Sequence, residues 1–559
     1  VTSPRLCPLC RQPLDPALLK FQSHLEPHLV RRLRESQPGW ERADGVCPEC
    51  VRRAVEKARE ARSPTSLQQE LATPFPVYSP DEQTLLPTPV RVHANPYFTG
   101  RGVAVAFLDS GFYPHPDLVR PRNRVLCYVD ATGSTPVEKA SFKKSHVTSW
   151  HGLMTSAIGF GNGFMSGGRY RGIADQAELV FVKTGNPRGR GLRDRDIARA
   201  LRWVLTNHQR FNLRAINVSL GGDHPTTGKL TELDELVEEA VERGMVVVAA
   251  AGNTGKRVII PPASAPSAIT VGGLDDQNHL DPRYHRLYWS SYGRGVHGVR
   301  KPEIIAPALW LAAPMLPKTR THNDALYFWR LYHASDAELS KLLETPYAGT
   351  RFSKKTLNQP LPEIRRIIHE HMNDQKFIHP HYQHVDGTSM SAPIVTGIVA
   401  QMIEANPALT PAQIKEILMA TADPVEAAPA GRQGAGAVNG GRAVAAALRV
   451  GGGPLRGLPG IPTGIPTSPH IAPHAITFYC YDRGARQAAV IGSFNDWQSK
   501  KGQMKPLAPS LWYFTLSAPA RGVYAYKFLL DGSRWINDPE NSDRIEDGFG
   551  GYNSLLIIE

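Results

Sequence analysis

From about residue 97 the chain alternates short apolar runs with stretches of helical period. The runs V-A-V-A-F-L at 103–108, A-I-N-V-S-L at 215–220 and M-V-V-V-A-A at 245–250 are continuous rather than alternating, which predicts strands buried on both faces. Between the last two, Leu230, Leu233, Leu236, Val237, Ala240 and Val241 recur at the spacing of one helical face. The pattern predicts an α/β domain over 97–450, with a parallel sheet covered by helices on both sides. A Gly/Pro-rich linker, 451–473, follows. Residues 474–559 then change to alternating runs such as V-Y-A-Y-K-F-L-L, with turn pairs Asn495-Asp496 and Asp531-Gly532. Short strands at that spacing predict a small antiparallel sandwich. Upstream, residues 56–96 pass from a charged helix into a segment with Pro74, Pro76, Pro80, Pro87 and Pro89, which reads as extended linker.

Composition narrows the class. At 559 residues the chain has room for about three to five folded units. It is 41% hydrophobic and 21% charged, which is globular rather than disordered. No run approaches the ~18 apolar residues of a membrane-spanning helix. The opening V-T-S-P-R-L-C-P-L-C lacks the charged-then-apolar layout of a secretory signal; taken as the natural start, it predicts a cytoplasmic protein without a membrane partner. The net charge of +13 favours contact with anions, and clusters such as Arg188, Arg190, Arg193 and Arg195 read first as a solvated basic surface. Four of the six cysteines form two tight pairs, Cys7/Cys10 and Cys47/Cys50. Each C-x-x-C turn can put two thiolates on one ion, so residues 1–55 read as a module with structural zinc in a reducing compartment. The stretch between Pro16 and Gln37 reads helical, and His24 and His28 read as surface residues. A basic zinc module could recruit a nucleic acid or a protein partner.

Four local signals in the α/β domain carry chemistry. Asp109-Ser110-Gly111 falls at the carboxyl end of a buried strand, where sites form in open α/β sheets. His151-Gly152 opens an apolar helical stretch, Asn253 follows Ala250-Ala251-Gly252, and Gly387-Thr388-Ser389-Met390-Ser391-Ala392-Pro393 opens another helix. A serine hydroxyl becomes nucleophilic when an imidazole takes its proton, and the imidazole needs a carboxylate to fix its tautomer and stabilise its cation. Oxyanion stabilisation needs a side-chain amide and a helix-start N–H. Asp109, His151, Asn253 and Ser389 supply these parts in a known chain order.

These stretches, with I-N-V-S-L-G-G at 216–222, P-A-S-A-P-S-A-I-T-V-G at 262–272 and K-P-E-I-I-A-P at 301–307, resemble the subtilases, the subtilisin-like serine peptidases, over about 97–445. The resemblance implies a three-layer subtilisin-like fold, with Asp109 as orienting carboxylate, His151 as general base then acid, Ser389 as nucleophile and Asn253 as oxyanion donor. It also implies that the backbones of Ser219-Leu220-Gly221 and Gly189-Arg190-Gly191 pair with an extended peptide, and that Ile260 makes a shallow pocket for small or medium side chains. Calcium is common in that family; no ligands for it are assigned in this sequence. Three features depart from the family. The His motif reads His151-Gly152-Leu153-Met154-Thr155-Ser156-Ala157, no family prodomain is recognisable in 1–96, and an insertion at about 318–380 precedes the Ser motif. The insertion reads helical, with Leu326, Phe328, Trp329, Leu331 and Tyr332 on one side and Ile364, Ile367 and Ile368 later. It reads equally as a lid or exosite beside the nucleophile and as a docked elaboration.

The tail carries I-G-S-F-N-D-W-Q at 491–498, Y-A-Y-K-F-L-L-D-G at 524–532, W-I-N-D-P at 535–539 and G-G-Y-N-S at 550–554. It is similar to the glycogen-binding domain of the AMP-activated protein kinase β subunit and the matching modules of isoamylases, which are immunoglobulin-like sandwiches. The similarity implies α-glucan binding, with Trp497 and Trp535 stacking on sugar faces and Lys527 and Asn553 bonding hydroxyls. The whole reads as a serine endopeptidase targeted or regulated by zinc and glucan modules. The competing reading is a catalytically silent scaffold that binds glucan, protein or nucleic acid.

Overall fold

A computed structural model describes residues 6–11, 50, 85–142, 148–185, 193–222, 224–280, 282–344, 358–426, 428–450, 468–472, 475–482, 485–508, 511–541, 543–547 and 552–558. The helix expected between Pro16 and Gln37 lies outside them. The chain divides into two units, Leu85–Gly464 and a second made of Val1–Thr84 with Ile465–Glu559.

The larger unit is built on a nine-stranded sheet. Its strands are β1 (Ala104–Asp109), β2 (Val125–Asp130), β3 (Val137–Lys139), β4 (Glu178–Lys183), β5 (Leu213–Val218), β6 (Val246–Ala250), β7 (Ile269–Asp275), β8 (Arg286–Leu287) and β9 (Ile304–Pro307). The order is β9-β7-β6-β5-β1-β4-β2-β3, with β8 beside β7. Pairings along β9-β7-β6-β5-β1-β4-β2 are parallel. The expected parallel sheet carries two antiparallel additions: β3 runs antiparallel to β2, and β8 to β7. Both follow their partner after a connection too short for the dozen or more residues that a parallel crossover needs.

Helices cover both faces. Alternate residues of β1, Ala104, Ala106 and Leu108, share an apolar cluster with Ile197 and Leu201 of one helix (Asp194–Asn207) and Leu233 and Val237 of another (Glu232–Glu242). Side chains of opposite parity point the other way, and there Phe107 meets Phe160 of α1 (Ser149–Phe160) edge-on at 5.3 Å. Helix α2 (Thr388–Ala405) is buried along nearly its whole length on that same side. The helix Glu232–Glu242 begins later than its apolar period suggests. Thr231 and Asp234 form a reciprocal capping box, which leaves Leu230 outside the helix and 42% exposed.

The described part of the insertion packs around a core of its own. Its helices Arg320–His333, Asp336–Glu344 and Leu361–Asp374 enclose Phe328, Leu331, Leu339, Ile364 and Ile368. Leu326 departs from the expected apolar face and is exposed. A three-stranded antiparallel sheet, with strands Leu311–Pro314, Tyr382–Val385 and Phe377–His379 in that spatial order, returns the chain to α2. Leu85 to Asn95, read above as the end of a linker, lie in this unit with Leu85 and Val92 buried.

The described part of the smaller unit beyond 468 consists of two antiparallel sheets. One has strands His470–Ala472, Ala475–Tyr481, Leu511–Ser517 and Lys505–Ala508; the other has Ala488–Gly492, Gly522–Leu530, Tyr552–Ile558 and Arg544–Glu546, with Arg534–Ile536 beside Gly522–Leu530. Phe478 of the first meets Tyr526 of the second at 4.8 Å, and both rings are fully buried. Residues 531–533 link Leu530 to its partner Arg534, and Asp531 and Gly532 make the turn with left-handed φ of 50° and 69°. Among the described residues, no helix is long and apolar enough to cross a membrane.

Candidate active site

Strand β1 ends on Asp109, which is fully buried. Its Oδ1 accepts the Ser110 backbone N–H at 2.6 Å and faces His151 Nδ1 at 2.7 Å, while Oδ2 accepts the Thr155 hydroxyl at 3.0 Å. His151 is the third residue of α1, and Thr155 stands one turn on along the same helical face. Only a glycine fits between them and the strand loop, because a Cβ on Gly152 would lie 2.1 Å from the Gly111 carbonyl oxygen. Burial of the imidazole works against its charged form, but the charge of Asp109 and its hydrogen bond outweigh this, and the His151 pKa is raised above the ordinary value.

The second half of the site hangs from the ends of β5 and β6. Leu108 of β1 lies opposite Val218 of β5, so Asp109 and Ser219 are carried on neighbouring strands about 4.8 Å apart. The Ser219 hydroxyl donates to the Ser389 carbonyl at 2.9 Å and accepts from the Asn217 amide at 2.9 Å. The Ser389 hydroxyl donates to the Ser219 carbonyl at 3.3 Å. Asn253 Oδ1 accepts the Thr388 N–H at 2.9 Å and the Thr388 hydroxyl at 3.0 Å, which turns its amide nitrogen away from those donors. Gly387, with φ 128°, makes the turn into α2. Below the site, α1 and α2 touch backbone to backbone. A Cβ on Gly159 would stand 2.4 Å from the Pro393 carbonyl oxygen, and one on Gly397 would stand 3.1 Å from that of Gly159. His151 lies about two turns before Gly159, and Ser389 about one turn before Pro393 and about two before Gly397.

A profile described as "Subtilase family" matches residues 100–436. The chain belongs to the subtilase family. It is 30% identical over 349 residues to "Serine protease AprX" of Bacillus subtilis (strain 168), covering 61% of this chain and 66% of that one. It is 32% identical over 212 residues to "Subtilisin BL" of Lederbergia lenta, covering 38% of this chain and 65% of that one. Among solved structures, "Sphericase" aligns with a TM-score of 0.41 at 23% identity, over 61% of this chain and 91% of that one. The chain thus matches 66% and 65% of the lengths of those two curated relatives.

Elsewhere in the subtilase unit, Gly221 faces Ile260, whose Cγ2 would lie 3.4 Å from a Cβ at that position. Leu220 is buried, and Gly222 N–H donates to the Pro261 carbonyl at 2.9 Å. Gly189, Arg190 and Gly191 lie outside the described residues. Sequence reasoning missed Thr155, Ser110 and Thr388 as partners of the site. The spacing of Thr155, four residues after His151, was the available signal.

In the smaller unit the Sγ atoms of Cys7, Cys10 and Cys50 lie within 4.8 Å of one another, with Cys7 and Cys50 at 3.9 Å. Cys47 lies outside the described residues. Of the residues expected to hold sugar, Trp535 is 49% exposed, Trp497 is half-buried and Asn553 is buried. The Lys527 ammonium is bound by the Asp547 carboxylate.

Proposed function

We propose that this subtilase is a serine endopeptidase that hydrolyses peptide bonds through an acyl-enzyme. Ser389 Oγ attacks the scissile carbonyl carbon while His151 Nε2 takes the hydroxyl proton. The carbonyl π electrons move to oxygen, where the amide nitrogen of Asn253 and the N–H of Ser389 at the helix start receive the charge. His151 then gives its proton to the leaving amine, and water repeats the sequence on the ester. The observation that carries this reading is the 2.7 Å contact of Asp109 with His151 Nδ1, on a carboxylate whose other contacts are the Ser110 N–H and hydroxyl and the Thr155 hydroxyl. That arrangement leaves Nε2 as the basic nitrogen and stabilises the imidazolium. The 3.3 Å contact from the Ser389 hydroxyl to the Ser219 carbonyl is long for O–H···O. The proposed chemistry requires the hydroxyl to turn from the Ser219 carbonyl toward the His151 ring, a rotation about one side-chain bond. A fluorophosphonate probe should label the wild type and not Ser389→Ala; an unlabelled wild type returns the chain to the silent-scaffold reading.

The accessory readings rest on narrower support. Four thiolates at about 2.3 Å from zinc stand roughly 3.8 Å apart on a tetrahedron, and the Cys7–Cys50 separation of 3.9 Å fits that edge rather than a disulfide. We therefore propose Cys7, Cys10, Cys47 and Cys50 as a structural zinc site, in a protein of the reducing cytoplasm, with recruitment of a protein or nucleic acid as its use. For the C-terminal module we propose an immunoglobulin-like sandwich, supported by the ring packing of its two sheets, that binds α-glucan through the exposed Trp535.

A further inference from the structure

The turn that delivers Ser389 is gripped from behind by groups that take no part in the chemistry. Gly387 N–H donates to the Ala308 carbonyl at 2.7 Å. Two residues further along that loop, Trp310 N–H donates to Asp386 Oδ1 at 3.0 Å. The other oxygen of Asp386 is bound by the Lys376 ammonium, which also lies 5.1 Å from the Trp310 ring centre. Lys376 belongs to the insertion. It immediately precedes the strand Phe377–His379, and its carbonyl accepts His384 N–H at 2.9 Å. From the opposite side Arg91, paired with Asp276, donates to the Leu309 and Trp310 carbonyls at 2.7 and 3.1 Å. The loop Ala308–Trp310 is thus held between Arg91 and Lys376, and it makes two hydrogen bonds to the residues just before the nucleophile. Trp310 sits at φ 56°, a left-handed conformation that a bulky residue keeps only when its surroundings impose it.

We infer that Lys376 and Asp386 are a positioning pair through which the insertion sets the geometry of the Ser389 turn, a role that rests on the serine-peptidase reading. Lys376 is 38% exposed at its side chain, so its ion pair contributes little to folding. Its value is direction. Gly387 and Thr388 connect Asp386 to both the Ser389 hydroxyl and the Ser389 N–H, and a displacement of about 1 Å in such groups costs on the order of 100-fold in rate. A partial loosening therefore affects the chemical step before it affects binding. The insertion is then neither a lid nor a passive elaboration, but a brace.

The test uses the full chain with succinyl-alanyl-alanyl-prolyl-leucyl nitroanilide and, in parallel, fluorophosphonate labelling. Lys376→Met should lower kcat about tenfold with KM within about twofold, and the melting temperature should stay within about 2 °C. Lys376→Arg should restore kcat. Asp386→Asn should match Lys376→Met, and the double variant should be no slower than either single one, because the two act as a unit. Wild-type kcat in Lys376→Met, a loss confined to KM, or losses that multiply in the double variant would each overturn the pair. A wild type that the probe does not label would instead remove the peptidase reading beneath it.

Discussion

Replacing Asp109 by Asn keeps the shape of the site and removes the charge. At 2.7 Å from His151 Nδ1, a unit charge in a medium of effective dielectric about 20 interacts with the imidazolium by roughly 6 kcal/mol. An amide at that position also offers an N–H where Nδ1–H should be accepted, which favours the wrong tautomer. A loss of about 10⁴ in kcat, the size expected when a triad carboxylate becomes an amide, corresponds to about 5.5 kcal/mol. The two figures agree if nearly all of the interaction is expressed in the transition state. The pH dependence gives an independent check. In the wild type, Asp109 outweighs burial and holds the His151 pKa above its ordinary value; in Asp109→Asn only burial remains, which lowers it. The acid limb of kcat/KM should therefore lie above the ordinary histidine range in the wild type and below it in the variant. The same shift has a folding consequence. Because the folded pKa exceeds the unfolded one, the pair's stabilisation is full below about pH 6.5 and fades as pH rises through the folded value. Kinetics on a peptide nitroanilide between about pH 5 and 10, a window that spans the histidine range, decide the matter. A variant within tenfold of wild-type kcat, or an acid limb that stays or moves upward, would refute the assignment.

Further outcomes follow from other parts of the molecule. Asn253→Ala should lower kcat by about 10²–10³ with little change in KM; a change in KM alone would remove Asn253 as an oxyanion donor. Ile260→Ala, which opens the space opposite Gly221, should raise kcat/KM for aromatic P1 residues by roughly tenfold in a peptide-library profile, and an unchanged profile would count against Ile260 as a pocket wall. Purified full chain should carry about one zinc per molecule by elemental analysis, reduced in Cys10→Ser; metal-free wild type would exclude the site. Calorimetric titration with a maltooligosaccharide should give heat that Trp535→Ala abolishes, since its exposed ring is the stacking surface in the proposed reading; absence of heat in the wild type would dismiss glucan binding.

The strands that carry the site were legible because their runs are apolar on both faces. The run at 103–108 becomes Ala104–Asp109 and that at 245–250 becomes Val246–Ala250. Asp109 and Asn253 were legible as candidates because each follows an apolar run at a strand end, His151 and Ser389 because each opens an apolar helix, and all four because few residue types can do that chemistry. What escaped depends on partners distant in sequence. Thr155 looked like a departure from the family motif, yet its hydroxyl bonds Asp109 across 46 positions. Periodicity put Leu230 in a helix, and the capping chemistry of Thr231 took it out. The ion pair of Lys527 with Asp547, twenty residues on, was likewise invisible to local pattern. Local pattern reports which faces are buried; it does not report which groups meet there.

The contact of Gly159 with the Pro393 carbonyl has a practical meaning for anyone reshaping this enzyme. It works as a spacer of zero thickness between α1 and α2. The spacing of the two helices that carry His151 and Ser389 is inherited from two main chains in close touch, and a single methyl group there would drive a wedge between them. On the proposed reading, the pitch between His151 and Ser389 is thus set by a glycine about two turns along the helix from His151.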